Sequence, residues 1–120
     1  MKEKRHFKRI PMDAPVTLNC GGRKWQSRLV DISLKGALVE SPRDWNETPP
    51  QACILDLQLD GGVSIVMDGT VVHSENGHLG FRCDHIELDS ISHLKRLVEL
   101  NLGDESMLER ELTELAHSGD

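Results

Sequence analysis

Short runs in which apolar and polar residues alternate fill most of this 120-residue chain. A period of two is typical of a β-strand with one buried face. Glycine turns separate the runs, and Asn76-Gly77 is the strongest hairpin signal because both residues accept the positive φ of a type I′ turn. The pattern predicts an antiparallel β-barrel or sandwich. Its six strands are expected at Val16 to Cys20, Lys24 to Ile32, Gly36 to Glu40, Ala52 to Leu59, Val63 to Ser74 and His78 to His85.

The apolar spacing changes to three or four residues after the last predicted strand. A helix is predicted from Asp89 or Ser90, either of which is a good N-cap, to Gly103, which is a C-cap signal. A second helix is predicted at about Glu105 to His117, where three leucines form one stripe. The chain is therefore interpreted as a single domain, 1–120. Its three parts are a flexible basic arm (1–10), a β-barrel (14–86) and C-terminal helices (89–117).

Charge is distributed unevenly along the chain. It has 14 Lys and Arg against 20 Asp and Glu, so its formal net charge is −6. Such a protein is repelled by nucleic acid polymers and anionic lipid over most of its surface. The first nine residues nevertheless hold five Lys and Arg against one Glu. This small basic arm suits a compact anionic ligand better than a polymer.

Three widely spaced cysteines, Cys20, Cys53 and Cys83, form no Cys-x-x-Cys motif. Their spacing and odd number favour small buried apolar side chains in a reducing cytosol over a disulfide framework or a zinc site. No apolar run approaches the roughly 18 residues of a membrane span, and the charged N-terminus lacks the apolar segment of a signal peptide. We therefore expect a cytoplasmic protein without membrane insertion.

The basic arm contains two arginines four residues apart, Arg5 and Arg9. A guanidinium is a planar fork that can hold a phosphate, or the Hoogsteen edge of a guanine, with two hydrogen bonds. The spacing alone is weak, since charge runs are usually solvated tails.

A second motif, Asp31-x-Ser33-x-x-Gly36, lies between two predicted strands. Asp and Ser bond local backbone amides in turns and glycine accepts positive φ, so the motif is compatible with a simple turn. The alternative is a ligand site. There the Asp31 carboxylate accepts N–H groups of a guanine or orients an arginine, Ser33 holds a polar edge, and Gly36 lets the backbone approach closely.

The two motifs together, in a six-strand all-β chain, resemble the PilZ domain family of bacterial receptors for cyclic diguanylate (c-di-GMP). The signature is Arg5-His6-Phe7-Lys8-Arg9 followed by Asp31-Ile32-Ser33-Leu34-Lys35-Gly36. The resemblance implies a six-stranded antiparallel barrel of the split-barrel type with C-terminal helices. It also implies that Arg5 and Arg9 clamp phosphates and guanine edges, while Asp31, Ser33 and Gly36 form the wall that contacts guanine.

The chain departs from the family beside the first motif arginine, where members often carry another arginine and this chain has Lys4 and His6. Lysine keeps a charge without the fork, and histidine is mostly neutral at pH 7. The ligand-binding set expected from the resemblance is therefore Lys4, Arg5, His6, Arg9, Asp31, Ser33 and Gly36. Ligand binding would order the arm and change the surface offered to a downstream effector protein.

Other functions are less well supported. The scattered histidines match no zinc pattern, and the chain has no phosphate loop or nucleophile elbow, so we expect no metal, no cofactor and no enzymatic activity. Aromatic residues make up only 3% of the chain, too few for a barrel that stacks single-stranded nucleic acid. The remaining alternative is a protein-interaction adaptor of the same fold that binds no ligand.

Overall fold

The structure is a computed structural model that describes residues 9–102, with side chains to residue 100. Within that range the chain forms seven β-strands, a short 3₁₀ turn at Asp60–Gly62 and one α-helix. The strands are β1 (Ile10–Pro11), β2 (Pro15–Cys20), β3 (Arg23–Ser33), β4 (Gly36–Glu40), β5 (Gln51–Leu59), β6 (Val63–Glu75) and β7 (His78–Ile86), and the helix is α1 (Leu88–Leu102).

The strands close into a barrel. Their order is β1-β3-β2-β5-β6-β7-β4, and β4 also pairs with β3, so β2 to β7 form a six-stranded antiparallel ring. The two-residue β1 adds to β3 outside this ring, pairing Ile10 with Ile32 and Pro11 with Asp31. The predicted six-stranded antiparallel barrel is therefore confirmed.

Alternation explains why these runs form strands, because every second side chain enters one shared core. On β5 and β6, for example, Leu55, Leu57, Ile65 and Met67 are fully buried. Burial of each such side chain contributes about 1.5–3 kcal/mol relative to exposure. Ile10, which ends the predicted arm, is also buried and belongs to this core.

Two backbone irregularities occur in and next to β6. Asn76 and Gly77 both have positive φ, at 56° and 78°, as the hairpin between β6 and β7 requires. The register of β6 against β7 shifts between Asp68 and Gly69 and again between Val71 and His73. A Cβ on Gly69 would lie 2.0 Å from the Arg82 carbonyl oxygen, so only glycine permits this close approach.

Helix α1 covers β6 with one apolar face. Leu94 and Val98 are buried, and Ile91 and Leu97 are half-buried. Both predicted N-caps, Asp89 and Ser90, are wrong, because the helix begins at Leu88 and the Ile91 N–H already bonds the Glu87 carbonyl. The Ser90 hydroxyl instead accepts a hydrogen bond from the Val66 backbone N–H of β6 at 2.9 Å.

The segment between β4 and β5 is anchored by a tryptophan pair. The rings of Trp25 and Trp45 lie 4.8 Å apart between centroids, tilted by 60°, a favourable arrangement for aromatic side chains. Arg23 lies over the Trp25 ring at 4.6 Å and contacts Glu47 at 3.6 Å. These contacts hold the loop on β3, far along the strand from Asp31.

The cysteine prediction is wrong for two of the three residues. Cys20 and Cys53 form a disulfide, and Cys83 is a free thiol. Strands β2 and β5 pair antiparallel with Leu18 opposite Leu55, so two residues further along Cys20 meets Cys53 on the same inner face. Adjacency of β2 and β5 brings the cysteines together, and their spacing in the sequence gives no sign of it.

The predicted helix at 105–117 and residues 1–8 of the predicted arm lie outside the described residues. In the part of the chain that is described, no helix is both long and apolar enough to span a bilayer.

Candidate functional site

The turn between β3 and β4 is built around Ser33. Its hydroxyl oxygen accepts a hydrogen bond from the Lys35 backbone N–H at 3.1 Å, a local bond of the kind that serine makes in turns. Leu34, at the tip, is buried in the core, and the Lys35 carbonyl accepts from the Cys83 N–H of β7 at 2.8 Å. The turn is therefore held on both sides and forms a fixed wall.

Gly36 is required by packing rather than by a left-handed backbone, since it is not among the residues with positive φ. In the pairing of β4 with β7 it lies opposite Arg82. A Cβ at this position would lie 2.0 Å from the Phe81 carbonyl oxygen, far inside van der Waals contact. Glycine thus allows β7 to approach the end of β4, and this closes the base of the site.

An ion pair joins the two sequence motifs. Nη1 of Arg9 lies 3.1 Å from Oδ1 of Asp31 and 3.4 Å from its Oδ2. The side chain of Asp31 is 17% exposed and that of Arg9 is 57% exposed. Pairing of Pro11 with Asp31 on β1 and β3 brings the arginine to this position. The acid is therefore part of the wall, whereas the arginine reaches it from solvent.

A depression of about 150 Å³, open to solvent, lies beside this ion pair. Among the described residues, its lining contains three basic side chains, Arg9, Lys35 and Arg82, and one acidic side chain, Asp31. The other described lining residues are Ser33, Gly36, Ala37 and Phe81. Local positive charge in a protein of net charge −6 makes this depression suited to an anionic group.

Arg82 is held in a small network on the outer face of β6 and β7. Its Nε donates to Asp84 Oδ1 at 2.7 Å, and its Nη2 lies 3.4 Å from Thr70 Oγ1. The Thr70 hydroxyl donates to Asp84 Oδ2 at 2.7 Å. The hydrogen bond from Arg82 lowers the pKa of Asp84, and the same bond raises the pKa of Arg82. Both groups therefore stay charged at neutral pH.

The structure brings four predicted site residues together around the depression, namely Arg9, Asp31, Ser33 and Gly36. The other three, Lys4, Arg5 and His6, lie outside the described residues. Sequence reasoning missed Lys35 and Arg82 as lining residues. Alternation places Arg82 on the outer face of its strand, but only the register of β7 against β4 shows that it lies beside Gly36.

Other candidates for reactive groups are the free thiol of Cys83 and the His, Asp and Glu side chains outside the depression. Burial raises the pKa of the Cys83 thiol to about 11, with a further contribution from the Asp84 charge, so this thiol is a poor nucleophile at neutral pH. Within residues 9–102 there is no group of three or more His, Cys, Asp or Glu side chains placed to hold a metal ion.

The fold and the position of the motifs agree with a comparison against known families. A family model described as PilZ domain matches residues 3–100 of the chain. The chain belongs to the PilZ domain family. PilZ domains act as ligand-binding receptors for c-di-GMP, and both motifs of this PilZ domain lie within the matched range.

A solved structure shares the architecture of this PilZ domain. It is the crystal structure of the PilZ domain of CeSA from a cellulose synthesizing bacterium, with a TM-score of 0.63 and 23% sequence identity. The match covers 81% of this chain and 99% of the other. At this level of identity, the similarity establishes the barrel fold of the PilZ domain.

Proposed function

We propose that this PilZ domain binds c-di-GMP at the depression beside the turn between β3 and β4. The observation that carries the proposal is the ion pair between Arg9 and Asp31. It joins the two halves of the signature, 22 residues apart in sequence, at a positively charged depression. Each half alone is compatible with a tail or a turn.

Arg9 and Asp31 have complementary roles in the proposed complex. A guanidinium has five N–H donors, so Arg9 can keep one bond to Asp31 and direct others to a phosphate or to the O6 and N7 edge of guanine. The Asp31 carboxylate can accept from guanine N–H groups with its remaining lone pairs. The existing pair places both groups before the ligand arrives, which reduces the entropy lost on binding.

Ser33 and Gly36 supply the fixed side of the proposed site. The hydroxyl of Ser33 accepts from the Lys35 N–H, and its own proton can be donated to an acceptor on the ligand. Gly36 brings β7 against β4. The floor of the depression is therefore shallow enough for a flat guanine to rest on it.

The depression is smaller than the ligand requires, which gives the N-terminal segment a role. At about 150 Å³ it is below the range for small-molecule sites, about 300–1,000 Å³. It can enclose one part of a cyclic dinucleotide and leaves the rest outside. We assign the contacts with this outer part of the ligand to Arg5, with Lys4 and His6 beside it. Binding then orders this segment over the barrel and alters the surface that a downstream effector protein contacts.

We place this receptor in the cytoplasm and assign it no catalytic activity and no cofactor, as expected from the sequence. The disulfide between Cys20 and Cys53 is unusual for a cytoplasmic protein. It lies at the ends of β2 and β5 and not among the residues that line the depression.

Isothermal titration calorimetry of the full chain with c-di-GMP tests the proposal. Arg9→Ala is expected to weaken binding about 10–100-fold, because it removes a charged hydrogen-bond partner. Arg43→Ala is the matched control, since Arg43 is an exposed arginine that lines a different depression, and its affinity is expected to equal that of the wild type. Absence of saturable binding by the wild type would refute the proposed function. Equal affinity of Arg9→Ala and the wild type would refute the clamp.

A further inference from the structure

Arg82 lies at the junction of three strands that meet at the depression. It is opposite Gly36 in the pairing of β7 with β4 and opposite Thr70 in the pairing of β7 with β6. It lines the depression on the side of β7, whereas Asp31 lies on β3 and Arg9 directly precedes β1. A ligand that rests on Gly36 therefore has Arg9 on one side and Arg82 on the other.

The guanidinium of Arg82 is pre-organised, although its side chain is 55% exposed. Asp84 and Thr70 contact its Nε and Nη2, and Thr70 in turn donates to Asp84. These two contacts engage two of the five N–H donors of the group. They fix the plane of the fork and leave it the capacity for the end-on bidentate contact that arginine makes with phosphate.

The balance of charge also favours an anionic partner for Arg82. Arg9, the other lining arginine, is bonded to the carboxylate of Asp31 within the same lining. The acid that orients Arg82, by contrast, is Asp84, which is not among the lining residues. The positive side of the Arg82 pair therefore faces the depression, and the negative side lies further along β7.

We propose that Arg82 is a further ligand-binding residue of this PilZ domain and that its guanidinium holds a phosphate of the cyclic dinucleotide from the barrel side. This inference rests on the proposed function and adds a residue that lies in neither sequence motif. The two arginines then approach the ligand from opposite sides, Arg9 from the segment before the barrel and Arg82 from the barrel itself.

The test is calorimetric titration with c-di-GMP of Arg82→Gln, which keeps much of the stem and removes the charge. We expect affinity about tenfold lower than that of the wild type. Arg82→Lys keeps the charge without the fork and is expected to lie between them. The difference in c-di-GMP affinity between the wild type and Arg82→Gln should become smaller at high NaCl, because the site is open to solvent and salt screens its charges. Arg96→Ala, on the exposed face of α1, is the control and should bind as the wild type does.

Thermal unfolding of the same variants separates binding from a purely structural role. If Arg82 only links β6 to β7, Arg82→Gln lowers the melting temperature and leaves the dissociation constant within twofold of the wild type, which overturns the inference. The Arg82→Lys variant serves the same purpose if Arg82→Gln does not fold. If the wild type binds c-di-GMP and both Arg82 variants bind it with the same affinity as the wild type, the role of Arg82 is refuted and the proposed function stands. A wild type that does not bind refutes the proposed function.

Discussion

Strand β3 carries two arginine–aspartate ion pairs that look alike and lie in different surroundings. At one end, Arg9 contacts Asp31 at 3.1 Å. Nearer its middle, Arg28 contacts Asp13 at 2.6 Å. Each arginine lines an open depression, and in each pair one partner comes from the segment before β2. The backbone of that segment is bonded to β3, through Met12 to Val30 and Leu29 to Ala14.

The surroundings distinguish the two pairs. The Asp31 side chain is 17% exposed and shares its depression with a serine, a glycine and two further basic residues. The Asp13 side chain is 76% exposed and does not line the depression beside Arg28, which holds the acidic Glu40 as well as Arg43, Ser27 and Ser41. The shorter ion pair is therefore the one whose acid lies outside the depression. Ion-pair distance alone is a poor guide to a binding site, and a half-buried acid beside convergent polar groups is a better one.

A substitution at Gly36 should be the most disruptive, because the Arg9–Asp31 depression depends on the close approach of β7. Gly36→Ala places a Cβ 2.0 Å from a backbone oxygen of Phe81. It should lower the free energy of unfolding by about 2 kcal/mol or more, since backbone must move. Urea denaturation measures this change. Gly21→Ala is the comparison. A Cβ at Gly21 would meet no atom within 4 Å, although the residue has a positive φ. This substitution should lower the free energy of unfolding by about 1 kcal/mol. Equal small losses would show that β7 can move away freely.

Removing the charge from each aspartate tests the difference between the pairs directly. Asp31→Asn is expected to weaken c-di-GMP binding about 10–100-fold, because it removes a charged acceptor from the wall. Asp13→Asn removes the same charge from the same strand's other pair and is expected to leave affinity unchanged. Calorimetry on both variants decides. Similar losses in the two would mean that general electrostatics, and not the wall, governs binding.

The smallest effect concerns the pH dependence of the Arg28–Asp13 pair. Its hydrogen bond from Arg28 lowers the pKa of Asp13 below the ordinary value of 3.8. Because the pKa of Asp13 is lower in the folded state, its ionised carboxylate stabilises the folded protein at every pH above the unfolded-state pKa. This stabilisation is lost as the pH falls through the folded-state pKa. Asp13→Asn should therefore melt slightly below the wild type at neutral pH, and the difference should disappear as the pH falls below 3.8 and through the lower folded-state pKa of Asp13. A difference that persists in acid would show that the carboxylate charge is not its source.

Local sequence was sufficient for most of the barrel and for half of the site. Alternation predicted strands whose inward residues, such as Leu55 and Ile65, are fully buried. The dipeptide Asn76-Gly77 predicted its hairpin because positive φ is a property of the residues themselves. The turn role of Ser33 also follows from local chemistry, since its hydroxyl bonds an amide two residues on.

Contacts between strands distant in sequence could not be predicted in this way. Two strands separate β2 from β5 along the chain, so no pattern indicated that Cys20 meets Cys53. The hydroxyl of Ser90 had a sound local use as a cap, and the Val66 N–H of β6 took it instead.

The periodicity, the turns and the family signature can therefore be read along the chain, because each depends on residues that are close together in it. The folded barrel was needed to show that Gly36 is required by β7 and not by a turn, that Asp31 already holds Arg9, and that Arg82 borders the same depression. These three findings depend on strand register. Closing the barrel fixes which residue of β7 lies opposite each residue of β4, and that alignment is set by the packing of the whole core.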